Sequence, residues 1–203
     1  MNENKTIAIV DDYSAMRDSL SWLFSSRGHV ANCFASGTEF LKTYQPGMYR
    51  CIILDVRMPE MSGLEVFKEL RKHSYCCPVL FLTGHGDVAM AVEAIKNGAS
   101  EFIQKPCKND EIVDIVEAWM ERDLEKRELW HVQQQIKTRL DLLTTREHEV
   151  MELILSGKLN KQVADKLGIA IKTVEVHRSR ILEKMSVKTA LALSFLLRNA
   201  KIG

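Results

Sequence analysis

Residues 51–63 read CIILDVRMPEMSG, and their first five decide the fold. An unbroken apolar run ends in a carboxylate, Asp55, and a turn containing Pro and Gly follows. A short apolar run bounded by turn residues reads as a strand buried on both faces, as in a parallel sheet. Working outward, the pattern returns at three other places. IAIV (7–10) ends in Asp11–Asp12, PVLFL (78–82) in Thr83, and EFIQ (101–104) in Lys105–Pro106. Residues just past the carboxyl ends of parallel strands meet on one edge of the sheet. Three carboxylates, one hydroxyl and one ammonium should therefore share a crevice.

Helical patterns fill the spaces between these runs. Met16, Leu20, Leu23 and Phe24 recur at helical spacing until Gly28. A weaker strand, HVANCF, precedes a helix near Ser36–Tyr44. Leu64, Phe67 and Leu70 share one face, VAMAVEAIKNGA follows the fourth strand, and Ile112, Ile115, Val116, Trp119 and Met120 align in the next helix. Five such βα units predict an α/β domain over 1–122, with a five-stranded, parallel, doubly wound sheet of flavodoxin-like kind. The charged stretch 123–140 has neither Pro nor Gly and reads as a helical linker. Over 141–203 no strand signal remains. Thr144 and Glu147 have capping-box spacing, Gly157 and Gly168 end two helices, and further helices cover about 172–184 and 189–197. This is an all-α domain of four helices with helix-turn-helix spacing across Gly168-Ile169-Ala170.

Composition agrees. The chain has 203 residues, 46% hydrophobic and 27% charged, comfortable for two globular domains. No apolar stretch approaches a membrane span and the start MNENK is polar, so the expectation is a cytoplasmic protein with no membrane partner. Residues 1–122 carry 13 Lys and Arg against 17 Asp and Glu, a net of −4. Residues 123–203 carry 15 against 10, a net of +5, so only the rear should face a polyanion. The five cysteines include no CxxC pair and read as reduced thiols.

The predicted crevice suits phosphoryl transfer, which needs charge neutralisation and alignment more than covalent machinery. Asp55 can attack phosphorus to give a mixed anhydride. Asp12 and Asp55 suit Mg²⁺, which takes one or two carboxylates with waters and phosphate oxygens, and Asp11 would hold a bound water. Lys105 would neutralise one phosphoryl oxygen and Thr83 donate to another. Singly, Asp12 reads as a helix N-cap, Thr83 as a turn residue and Lys105 as a solvated charge. Together, on four of five strands, they read as one site.

IVDD, ILDVRMPEMSG, FLTGHGD and EFIQKP resemble the receiver domain of two-component response regulators, most closely the FixJ type, over about residues 5–120. The resemblance implies Asp55 as phosphoacceptor, with Asp11, Asp12, Asp55 and the backbone carbonyl of Arg57 around Mg²⁺. It implies Thr83 and Phe102 as a switch pair, and Lys105 as the site's lysine before a cis peptide to Pro106. Arg57 and His85 resemble positions that tune dephosphorylation. The helix and strand around 87–105 would form a dimer face, with Val88, Val92 and Lys96 as contacts.

On a helical wheel of 172–185, Val174, Ile181 and Met185 share a buried direction, flanked by Leu182. Lys172, Val176, Ser179 and Glu183 lie opposite, bordered by Glu175 and Arg180. An outward valine among charges suits contact with a thymine methyl, and Glu175 can accept from cytosine N4. Lys172, Thr173, Arg178, Arg180 and Lys184 suit phosphates. Residues 141–200 also resemble the LuxR/NarL-type DNA-binding domain, with Ile171 where a small polar residue is common.

The expected function is a transcriptional regulator of a two-component system, not an enzyme. A sensor histidine kinase phosphorylates Asp55, and the chain dimerises and binds double-stranded promoter DNA, with RNA polymerase as a further candidate partner. One alternative is a receiver whose rear domain binds protein or RNA. Another is an aspartyl-phosphate phosphatase, disfavoured because Arg57 stands where haloacid-dehalogenase-type phosphatases place a second Asp.

Overall fold

The structure is a computed structural model describing residues 6–84 and 88–200, the side chains of Val88 and Ala89 excepted. The chain divides into two compact units, residues 1–127 and 128–203.

In the front unit, β1 (Thr6–Val10), β2 (Val30–Phe34), β3 (Cys51–Asp55), β4 (Val79–Thr83) and β5 (Glu101–Gln104) form one parallel sheet in the order β2-β1-β3-β4-β5. The helices α1 (Ser14–Ser26), α2 (Gly37–Thr43), α3 (Gly63–Leu70), α4 (Val88–Lys96) and α5 (Asn109–Arg122) alternate with the strands. Side chains alternate across a strand, so each strand feeds two cores. Ile7, Ile9, Ile53, Leu80 and Leu82 pack with Leu20, Leu23 and Phe24 of α1 and with Ile112, Val113 and Val116 of α5. Phe81 turns the other way and meets Phe67 of α3 edge-on, ring centroids 5.6 Å apart. Burial on both faces explains why β3 and β4 read as continuous apolar runs. The edge strand β2 leaves Val30 and Cys33 exposed, which is why its signal is weak.

Register aligns the strand ends. Val10 pairs with Leu54, Asp55 with Leu82, and Thr83 with Gln104. The residues that end β1, β3, β4 and β5 are thus held on one edge.

The stretch expected as a helical linker, 123–140, is helical as α6 (Leu124–Asp141). Its opening belongs to the front unit. Arg127 is buried and donates from Nη1 to the Tyr49 carbonyl and from Nη2 to the Gly47 carbonyl, both at 2.8 Å. Asp123, just before the helix, is buried and accepts from the Tyr75 hydroxyl. The compact unit therefore runs five residues past the expected limit of 122. The rest of α6 packs in the rear unit, where Ile136 enters the core and Gln133 donates to the Ala200 carbonyl at 2.8 Å.

The rear unit continues with α7 (Thr145–Leu155), α8 (Asn160–Leu167), α9 (Ile171–Lys184) and α10 (Ala190–Asn199). The expected capping box forms, with Thr144 Oγ1 accepting from the Glu147 amide and the Glu147 carboxylate from the Thr144 amide. Gly168 ends α8 at φ +64°, left-handed backbone that glycine adopts without strain. Val150, Val163, Val174, Ile181, Met185 and Leu193 make the core. Among the described residues no helix is long and apolar enough to cross a membrane. All five thiols are free, with Cys51, Cys76 and Cys77 buried, Cys107 half-buried and Cys33 exposed.

Candidate phosphoacceptor edge and nucleic-acid face

The edge brings most of the expected residues together. The Lys105 ammonium donates to Asp11 Oδ2 at 2.7 Å and to Asp55 Oδ1 at 2.8 Å. The other oxygens are held by backbone: Tyr13 N–H donates to Asp11 Oδ1 at 2.9 Å, and Arg57 N–H to Asp55 Oδ2 at 2.7 Å. Thr83 is buried at the end of β4, and the Lys105 amide donates to its carbonyl at 2.6 Å. Phe102 is half-buried beside Phe81, centroids 6.2 Å apart. The Lys105–Pro106 peptide is cis. Asp12 is exposed, and the Asp55 side chain keeps 9% of its surface.

Electrostatics follow from this crowding. Burial pushes the Asp55 carboxyl above the usual carboxylate range, Lys105 opposes that, and Asp11 adds to it. Burial works against the Lys105 ammonium, yet its bonds to Asp11 and Asp55 hold its pKa above the ordinary value. Among the described residues, no three His, Cys, Asp or Glu side chains are gathered as a ligand group. Lys105 bridges Asp11 and Asp55, while Asp12 is exposed. The donor chemistry still suits a hard divalent ion, which needs only one or two carboxylates besides water and carbonyl oxygens. Two carboxylates against the one ammonium that bridges them leave a formal −1, and the exposed Asp12 follows Asp11 in the chain.

Three supporting residues were not singled out from the sequence. Tyr13 caps Asp11 through its amide, a two-residue turn whose only signal is the Asp itself. Arg17 Nη1 donates to the Asp11 carbonyl at 2.7 Å, one cation inside the first turns of α1. Gly63 opens α3 so close to β3 that a Cβ would lie 2.2 Å from the Asp55 carbonyl oxygen. Glycine after Ser62, the helix N-cap, was the available hint.

On α4, Val92 and Lys96 are exposed one turn apart. His85 and the side chain of Val88 lie outside the described residues.

On α9, Val174 and Ile181 are buried, while Lys172, Thr173, Glu175, Val176, Ser179 and Arg180 are exposed. Lys172 pairs with Glu175 at 3.0 Å, and Val176 is 41% exposed. Two of the expected phosphate contacts are engaged elsewhere. Arg178 is half-buried and donates to Asn160 Oδ1 at 3.1 Å, tying α9 to the start of α8. Lys184 turns inward to Glu147 at 2.7 Å and to the Leu142 carbonyl at 3.0 Å. Glu147 is buried at the base of α7 and needs a counter-charge, so Lys184 is a strut and not part of the exposed face. Ile171 begins α9 with no side-chain cap before it.

Both units resemble known proteins. Residues 7–117 match the response regulator receiver domain, and residues 141–194 match bacterial regulatory proteins of the luxR family. The chain is 42% identical to the C4-dicarboxylate transport transcriptional regulatory protein DctR of Rhodobacter capsulatus, over 90% of this chain and 94% of DctR. It is 38% identical to the transcriptional regulatory protein FixJ of Azorhizobium caulinodans, over 100% of this chain and 95% of FixJ. Among solved structures, the response regulator StyR superposes with a TM-score of 0.74 at 37% identity, covering 95% of this chain and 98% of StyR.

Proposed function

The chain belongs to the response regulators that join a receiver domain to a LuxR-family DNA-binding domain and regulate transcription, and we propose that Asp55 is its phosphoacceptor. The observation that carries this is the Lys105 ammonium, held between Asp11 and Asp55 at the carboxyl edge of the sheet. A phosphohistidine on a sensor kinase is the donor. An Asp55 oxygen attacks phosphorus, the N–P bond breaks as the O–P bond forms, and the departing imidazole keeps the electron pair and takes up a proton. Lys105 releases part of its hold on the carboxylates to neutralise one phosphoryl oxygen, and the Thr83 hydroxyl donates to another. Asp11, Asp12, Asp55 and the Arg57 carbonyl would hold Mg²⁺. When bound, that ion supplies neutralisation of phosphoryl charge.

The phosphoryl group adds a charge of about −1.5 to −2. Thr83 moves toward it and Phe102 follows, which reshapes the α4–β5 surface and favours a dimer through Val88, Val92 and Lys96 as a population shift. The receiver covers 1–122 with Asp123–Arg127 docked on it, the helical stretch 128–140 packs with the rear unit, and the DNA-binding domain proper covers 141–203. Lys172, Thr173 and Arg180 contact phosphates of promoter DNA, Ser179 shares their exposed face, and Glu175 and Val176 read base edges.

Incubation with Mg²⁺ and acetyl phosphate should place one phosphoryl group on each wild-type chain and none on Asp55→Asn. Light scattering should show dimers only for the former. Full labelling and dimerisation of Asp55→Asn would overturn the assignment. For the rear face, Lys172→Gln should weaken binding to all DNA sequences alike and lower the salt slope by about 1.

A further inference from the structure

A second site candidate lies within the front unit, at the opposite, amino-terminal edge of β4 and β5. A cavity of about 300 Å³ opens there, walled by Phe67, Pro78 and Trp119 and by the Gly98–Ser100 backbone. That is the size of a small-ligand pocket. Three cations reach it from three elements: Arg71 just after α3, Arg122 at the end of α5, and Lys126 in the first turn of α6. Among the described residues none of the three has a carboxylate within ion-pair distance.

Each is instead held by uncharged surface. The Arg71 guanidinium lies against Gly98, 3.4 Å from where a Cβ would stand. Arg122 stacks 5.0 Å over the Trp119 ring, and Lys126 sits 5.6 Å over the Tyr75 ring. Asp123 also faces the cavity, but its carboxylate accepts from the Tyr75 hydroxyl, and one negative charge does not balance three positive ones. A helix C-terminus accounts for Arg71 and for Arg122 separately. It does not account for their meeting Lys126 at one cavity with an aromatic wall. The field of Arg71 and Lys126 also reaches the Cys76 thiol, which burial and Asp123 nonetheless keep at about 11.

We propose that this cavity binds a small organic carboxylate, its anionic head between Arg71, Arg122 and Lys126 and its apolar body against Trp119, Phe67 and Pro78. Guanidinium forks match a carboxylate's paired oxygens, and the partly enclosed setting strengthens the attraction over that in open water. The site is separate from the phosphoacceptor edge and does not depend on its assignment.

Benzoate is a suitable probe, titrated into the full chain and followed by amide NMR. Saturable shifts are expected at the Gly98, Ala99 and Ser100 amides, diminishing with added salt. Arg71→Gln with Arg122→Gln, both at exposed positions, should weaken binding by about tenfold or more while leaving distant amide shifts in place. Benzyl alcohol, which keeps the ring without the charge, should give no saturable shift. Lys105→Ala should bind benzoate as the wild type does. Absence of saturation, indifference to the double variant, or shifts confined to residues around Lys105 would each overturn the proposal.

Discussion

Gly63 is placed so tightly that a single methyl group has a readable effect. With a Cβ 2.2 Å from the Asp55 carbonyl oxygen and 3.1 Å from Leu54 Cγ, Gly63→Ala must push α3 away from β3 or shift the Asp55 peptide. The expected cost is about 1–3 kcal/mol, as for other overpacked contacts, together with slower phosphorylation. Denaturant midpoints and the labelling rate with acetyl phosphate check both; unchanged values would mean that the contact relaxes freely. The residues at strand ends were legible in the sequence, because an apolar run that stops at Asp55, Thr83 or Lys105 announces its own position on the edge. Gly63, Tyr13 and Arg17 were not. Their roles lie in amides, carbonyls and clearances across a turn, which no side-chain pattern records. Lys184 shows the same limit from the other side. Its cationic type suited phosphate, but its partner Glu147 stands 37 residues earlier.

At the scale of elements, the start of α6 behaves unlike the connection its composition advertises. Charge density reads as solvated helix, yet Arg127 spends its guanidinium on the Tyr49 and Gly47 carbonyls inside the front unit. Arg127→Ala leaves those acceptors without a charged donor and should cost the front unit about 3 kcal/mol, measured by its unfolding transition. An exposed neighbour such as Glu128→Ala should change it by less than about 0.5 kcal/mol. The turn between α8 and α9 gives a second test. Gly168→Ala forces a side chain into left-handed backbone, so the rear unit should lose about 1 kcal/mol while the front transition stays fixed. Helices α1, α7, α9 and α10 were legible because their apolar stripes face a core directly. α6 was legible as a helix, but its sparse stripe did not reveal which of its turns serve which unit.

For the whole molecule, two separate cores mean two unfolding transitions, and acid should treat them differently. Burial raises the Glu147 carboxyl, but bonds from Lys184 and Thr144 outweigh it and leave the pKa below its usual 4.5. A depressed carboxyl contributes stability that is complete above its unfolded value and disappears as pH falls through its folded value. The rear transition should therefore weaken below about pH 4.5, and Glu147→Gln should be less stable at neutral pH with a flatter acid limb. In the front unit Asp55 and Asp123 are both raised, chiefly by burial, so their protonation on acidification relieves that unit. Differential scanning calorimetry across pH checks the contrast; parallel decline of both transitions would contradict it. The five cysteines all lie in the front unit, where Cys33 alone is exposed, on the edge strand β2. A maleimide dye should thus settle on one position of the wild-type chain, giving a fluorescent reporter of receiver tumbling while leaving the nucleic-acid face unmarked.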